Sequence, residues 1–413
     1  MLQKIGQEAQ EASKTLASAS ESQKNQALQL MSESLMKHCD LILDANKRDL
    51  EKGKGIGISA ALTDRLTLTS ERVQSMADGL QKIVELEDPV GKVEKEWTGE
   101  NGLEYKKVRS PFGVIAVIYE ARPNVTSDVG GLCLKSGNAS ILRGSSYCLD
   151  SNKAVLKSLK EGLGSSDLPQ NSIQILEDTS RETSIALMKL TEFVDLLVPR
   201  GGKGLIQSMM ENATVPYILD GDGNVHLYIH EDADPEKTNK IVINSKVQRP
   251  GVCNALETLI VNRGYLKKNG YSVVDELISN NVELFIDESL QEKYPNCEIA
   301  TSEHYLTEFH DYKIAIKVVD NLDEAINHIS TYSSGHTESI LTADSQIAEK
   351  FSNSIDSSVV FVNASTRFTD GEIFGLGAEI GISTQKLHVR GPMGLEALTS
   401  ERYIVRGSGQ IRE

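Results

Sequence analysis

Residues 107–128 read KVRSPFGVIAVIYEARPNVTSD, a short β-branched apolar run that ends in an Arg-Pro-Asn corner. The texture repeats in KSGNASILRGSS (135–146), NSIQILED (171–178), EFVDLLVPRGGKGLI (192–206) and VPYILDGDGNVHLYI (215–229). Each run stops at polar, Gly or Pro residues, and stretches of helical pattern at 150–163 and 181–191 separate several of them. Strands alternating with helices in this way specify βαβ units around a mainly parallel sheet, hence an α/β fold. Ligands of such sheets sit at the carboxyl ends of strands. The residues to watch therefore follow each apolar run: Arg122–Asn124, Arg143–Ser146, Pro199–Gly204 and Asp220–Asn224.

Moving outward, apolar alternation resumes at 256–262, 314–319 and 358–362, which fits a second α/β unit. Upstream, Ala9, Ala12, Leu16, Ala27, Leu28, Met31, Leu35, Cys39 and Ile42 recur at spacings of three and four, predicting an amphipathic helical lead-in that packs on the body of the protein. GKGIG at 53–57 follows no strand and completes no dinucleotide fingerprint, so it reads as a turn before a helix around Thr69–Leu86. With 413 residues the chain accommodates two or three domains. No low-complexity linker separates them, which predicts interleaved domains.

A formal charge of -16 argues against nucleic acid as a partner. Any phosphorylated ligand needs locally placed Arg or Lys and helix N-termini. Five dispersed cysteines without a CxxC pair imply neither a disulfide framework nor a zinc site, and fit a reducing compartment. The opening MLQKIGQEAQEASK lacks the apolar core of a signal peptide, and no apolar run approaches the ~20 residues of a membrane span. The expectation is a cytoplasmic protein with no membrane partner.

GGKG (201–204) leads from a strand-like run into a helical one, which suits a phosphate cradle and an ordinary strand-to-helix turn alike. It is not a P-loop, because the GxxxxGK[ST] spacing fails. Asp220, Asp222, Asn224 and Glu231 fall on positions 1, 3, 5 and 12 of a calcium loop, but Val225 stands where that loop requires Gly and a strand-like run follows. The histidines lack HExxH spacing, so no metal is expected. VQRPGVCNALETLIV (247–261) sets Cys253 between a Pro-Gly turn and an apolar run. A thiol at such a corner suits acyl chemistry, since thiolate attacks carbonyl carbon and leaves a reactive thioester, while a lone cysteine is also a common core residue.

The order PNVT, LRGSS, PRGGKG and then the Cys253 loop resembles the aldehyde dehydrogenase superfamily. YEARPNVTSD, PGVCNALETLIV, VVDNLDEAINHISTYSSGHTESI and HVRGPMGLEALTS resemble in particular its γ-glutamyl phosphate reductase family, from about residue 44 onward. The resemblance implies a Rossmann-type cofactor domain (1–95, 110–228, 361–386), an α/β catalytic domain (229–360) and a small β oligomerisation flap (96–109, 387–413). It further implies NADPH-dependent reduction of L-glutamyl 5-phosphate to glutamate 5-semialdehyde, a step of proline biosynthesis, by a homo-oligomer. No amino-acid-kinase segment precedes this region, so a separate glutamate 5-kinase is expected to supply the substrate.

In that scheme Cys253 is the nucleophile, and Asn124 with a backbone N–H holds the oxyanion, at ~3 kcal/mol per donor. Oxidising relatives carry a Glu in Leu-Glu-Leu-Gly-Gly that activates water on the thioester. Here the segment reads ILDGDG with Leu219 at that place, which favours reduction over the alternative of an oxidative NAD(P)-dependent aldehyde dehydrogenase. Retention of both Cys253 and Asn124 argues against a non-enzymatic scaffold. Where NAD-preferring relatives carry LKPxE this chain has LRGSS, so Arg143, Gly144, Ser145 and Ser146 are expected to favour NADP. Gly201, Gly202 and Lys203 complete the expected cofactor set, together with Glu308, which resembles the superfamily's nicotinamide-ribose carboxylate.

Overall fold

The computed structural model describes residues 1–412, the side chains of Ala60, Ala61 and Lys203 excepted. The chain divides into two units, one holding Met1–Leu219, Leu376–Gly381 and the chain from Met393 on, the other Asp220–Gly375 and Ile382–Pro392. The two units are interleaved in sequence; their first boundary lies at 219/220, where the resemblance implies 228/229, and 361–375 belongs to the second unit. The reason is hydrogen bonding: Ser339 Oγ donates to the Ala364 carbonyl (2.9 Å) and Asn254 Nδ2 to the Thr369 carbonyl (2.8 Å), tying that segment to its own unit.

In the first unit the helical lead-in is three helices, Leu2–Ser18, Glu21–Lys37 and Cys39–Gly55. The first break falls where Ser20 and Gln23 form a reciprocal capping box, which satisfies otherwise orphaned N–H groups and restarts the helix. Strands β1 (Val93–Thr98) and β2 (Glu104–Pro111) pair antiparallel. Next come β3 (Val114–Tyr119), β4 (Ala139–Arg143), β5 (Ile173–Ile175) and β6 (Leu196–Arg200), all parallel in the order β5-β4-β3-β6. All six residues of β3 are buried, as expected of a parallel strand covered on both faces. Each buried Val or Ile there contributes about 1.5–3 kcal/mol. The chain order reverses between β3 and β6, so the ligand crevice of this sheet lies at their carboxyl ends.

The second unit is built on β7 (Val225–Ile229), β8 (Leu256–Asn262), β9 (Glu283–Ile286), β10 (Glu298–Ile299), β11 (Lys313–Val319), β12 (Thr337–Leu341) and β13 (Val359–Val362). They form one parallel sheet, β10-β9-β11-β8-β7-β12-β13. Period-two alternation sends Leu227 and Ile229 to one core and Tyr228 to the other, so both faces are covered. The apolar run VPYIL expected as a strand ahead of DGDGN is only a single bridge, Tyr217 with Leu197 in the first unit, and Asp220–Asn224 precede β7. A short pair, β14 (Ile382–Ser383) with β15 (Gly391–Pro392), follows. Finally β16 (Thr399–Arg406) pairs along the whole of β2, so the strand-like segments of the expected flap are joined in one three-stranded sheet.

Candidate active site

In the first unit the crevice is lined by the residues that leave β3, β4 and β6. Asn124 caps the helix Val125–Lys135; its exposed amide donates to Asp128 Oδ2 at 2.9 Å. Burial raises Asp128 to about 6, against the opposing pull of its bonds from Asn124 and Ser127. One amide N–H of Asn124 is thus spoken for and oriented, leaving the other to donate.

At the end of β4, the Arg143 guanidinium reaches the carbonyls of Thr179 (2.5 Å) and Ser180 (3.2 Å) through Nη2, while its Nε is buried without an acceptor. Burial lowers its pKa. A side chain at Gly144 would meet Asn152 Nδ2 at 2.1 Å, so the buried Asn152 amide fills the space beside this turn. Ser145 is half-buried and Ser146 exposed. An acceptorless buried guanidinium donor beside an exposed serine fits a phosphorylated dinucleotide, so these residues suit the cofactor that the sequence implies.

At GGKG, Gly202 is the N-cap residue of the helix Lys203–Asn212, and its amide donates to Glu120 Oε1 (3.3 Å). A β-carbon at Gly201 would lie 2.9 Å from the same carboxyl group. The side chain of Lys203 lies outside the described residues.

In the second unit the candidate residues collect at the amino ends of strands, the reverse of the general expectation. Cys253 sits half-buried in a turn closed by the Ala255 amide on the Val252 carbonyl (3.0 Å), immediately before β8, so the predicted loop-to-strand corner is real. Ahead of β7, Gly223 lies so close that an added β-carbon would be 1.6 Å from the Cys253 carbonyl oxygen. The Gly223 amide donates to Glu308 Oε1 at 2.8 Å, and Glu308 also pairs with His310 Nε2 at 3.2 Å. Burial pushes the Glu308 carboxyl up, but the His310 and Gly223 contacts prevail and hold it below the usual range. Sequence reasoning found Cys253 and Glu308; the glycine that joins them was visible only as part of DGDG.

The Asp220 carboxylate, once a calcium-loop candidate, accepts the Ile382 amide at 2.9 Å. Sequence reasoning also missed two arginines of this unit. Arg249 stands four residues before Cys253, and Arg367 lies on the segment after β13.

The aldehyde dehydrogenase family model matches residues 2–293. A gamma-glutamyl phosphate reductase of Clostridium beijerinckii is 51% identical over 407 residues, 98% of each chain, and one of Heliobacterium modesticaldum 49% identical over the same span. The crystal structure of gamma-glutamyl phosphate reductase from Thermotoga maritima superposes with a TM-score of 0.98 at 44% identity over 100% of both chains. An acetylating aldehyde dehydrogenase of Geobacillus thermoglucosidasius, 16% identical over 100% of this chain and 97% of its own, shares the fold with a TM-score of 0.72.

Proposed function

The chain belongs to the aldehyde dehydrogenase family and, within it, to the gamma-glutamyl phosphate reductases, and from that premise we propose that it reduces L-glutamyl 5-phosphate to L-glutamate 5-semialdehyde with NADPH, in proline biosynthesis, through a thioester on Cys253. The observation that carries this reading is the pinning of Cys253 at its corner by Gly223, with leucine at 219 where an oxidising relative carries its base. Asp220, next in line, is engaged by a backbone amide.

The Cys253 thiolate attacks the acyl carbon, the carbon–oxygen bond to phosphate breaks, and a thioester remains. Asn124, with one N–H fixed by Asp128, donates the other to the oxyanion that forms on attack. NADPH, when bound, supplies the hydride. On hydride addition the acyl carbon becomes a thiohemiacetal, whose carbon–sulfur bond breaks to release aldehyde and return the thiolate. Arg143 and Ser146 would hold the 2′-phosphate, and Glu308 the nicotinamide ribose. Assembly into a homo-oligomer and supply of the labile acyl phosphate by a separate glutamate 5-kinase belong to the same proposal.

The test is the reverse reaction. Purified protein given glutamate 5-semialdehyde and NADP should produce NADPH only when inorganic phosphate is added. Oxidation that proceeds equally without phosphate would assign it to the oxidative aldehyde dehydrogenases instead.

A further inference from the structure

Residues 363–369 bring a further set of side chains to the Cys253 corner. After β13 the chain turns back along β12: Thr342 N–H donates to Asn363 Oδ1 (3.0 Å), Ser339 Oγ to the Ala364 carbonyl (2.9 Å), and Thr337 Oγ1 meets Thr369 Oγ1 (2.9 Å). This carries the segment from the carboxyl to the amino edge of the sheet, where it is stitched to the chain around Cys253. Thr366 Oγ1 donates to the Asn254 carbonyl (2.7 Å), Asn254 Nδ2 to the Thr369 carbonyl (2.8 Å), and Ser365 Oγ to Asn244 Oδ1 (2.6 Å).

Arg367 lies in the middle of these stitches. Its Nε donates to Gln248 Oε1 at 2.7 Å, which fixes the plane of the guanidinium beside the residue that precedes Arg249 in the chain. Its Nη atoms, and all the donors of Arg249, have no hydrogen-bond acceptor and no carboxylate within ion-pair distance among the described residues. Arg367 is half-buried and Arg249 exposed, in a chain with 59 Asp and Glu against 43 Lys and Arg. Burial of the half-buried Arg367 lowers its pKa, and Arg249 adds to that, while Cys253 and Asp370 pull the other way. The two cations and the thiol therefore share one field. Like charges brought together next to a nucleophile favour an anion between them, and guanidinium forks match phosphate oxygens.

We propose that Arg249 and Arg367 form the subsite that receives the phosphate of the acyl phosphate, an inference that rests on the reading of the reaction given above. As the sulfur–carbon bond forms and the carbon–oxygen bond breaks, the electron pair leaves on phosphate oxygen, and the two guanidinium groups take up the charge that collects there. Nothing is oxidised or reduced in this step. The subsite also explains why Gln248 and Asn254 are turned toward the 365–369 segment: they hold it at the thiol.

The experiment uses the full chain in the phosphate-dependent reverse reaction, with Arg367→Gln, Arg367→Lys and Arg249→Gln. Arg367→Gln and Arg249→Gln should each raise KM for inorganic phosphate at least tenfold while KM for glutamate 5-semialdehyde changes less than twofold, and Arg367→Lys should recover part of the loss. In parallel, inorganic phosphate should slow alkylation of Cys253 by iodoacetamide in the wild type and lose that protection in both glutamine variants. A raised KM for the aldehyde with phosphate KM unchanged would overturn the proposal and move the arginines to the substrate's α-carboxylate. Wild-type protein without phosphate-dependent turnover would sink the reaction itself, whereas wild-type turnover with unchanged phosphate KM and protection in the variants would sink only the subsite.

Discussion

At Gly223 a β-carbon would stand 1.6 Å from the Cys253 carbonyl oxygen, so any side chain there pushes aside the backbone of the proposed nucleophile. Gly223→Ala should therefore lower kcat about 100-fold or more, the usual cost of an ångström-scale misplacement, with a smaller loss of cofactor affinity because the Gly223 amide also holds Glu308. Steady-state kinetics beside a cofactor titration measure both. Cys253→Ser should abolish turnover with folding retained, because a serine hydroxyl is scarcely ionised near neutral pH; near-normal activity would contradict the thioester route. For the cofactor, Ser146→Glu is the cleaner probe, since Arg143 also holds the Thr179 and Ser180 carbonyls. It should weaken NADP relative to NAD by about 1.5–3 kcal/mol, read as the ratio of kcat/KM for the two.

One level up, the helix Pro235–Val247 is welded to β8 by Lys246 and Glu257, whose Nζ and Oε2 meet at 2.7 Å with both side chains fully buried. Glu257 Oε1 also accepts the His310 amide at 3.3 Å, so the pair braces the Glu308–His310 arm. Burial raises Glu257 to about 7 and lowers Lys246. Removing one partner strands the other: Glu257→Gln should cost about 3–5 kcal/mol in chemical denaturation, and the double replacement Lys246→Met with Glu257→Leu markedly less. Elements of this kind also mark what sequence can and cannot disclose. The strand β3 is legible because burial on both faces demands an unbroken apolar run, and β8 and β11 because enough apolar residues remain around Glu257, Thr258 and Lys317. By contrast, β12 is not, because its buried Thr337, Glu338 and Ser339 break the pattern. The carboxylate of Glu338 instead accepts the His226 amide at 2.8 Å. Cys253 carried a local turn signature, whereas the Gly223 contact and the approach of Arg367 join residues far apart in sequence, which no local pattern encodes.

Across the whole molecule, two buried imidazoles set the acid limit. His328 is lowered to about 3 by burial, with His226 and Lys317 adding and Asp287 opposing; His336 is lowered to about 4 by burial against Asp220 and Glu308. Both bind protons more weakly folded than unfolded, so their contribution is full above pH ~6.5 and is lost as pH falls toward those values. By pH 5 each should have cost about 2 kcal/mol. Urea midpoints at pH 7 and 5 test this, and His328→Phe should flatten the difference.

Among the described residues no helix is long and apolar enough to cross a membrane. The interleaving has its own consequence during synthesis. Domains ordinarily fold as they leave the ribosome, the first made finishing first. Here the unit begun at residue 1 waits for β16, which completes the pairing of β2, and for the Leu398 carbonyl that accepts buried Asn138 Nδ2 at 2.8 Å. The unit translated later is whole once β15 has emerged. A premature stop just past residue 392 would thus release a chain whose Cys253-bearing unit is complete and whose first unit is not, damaging the part of the protein that was made first.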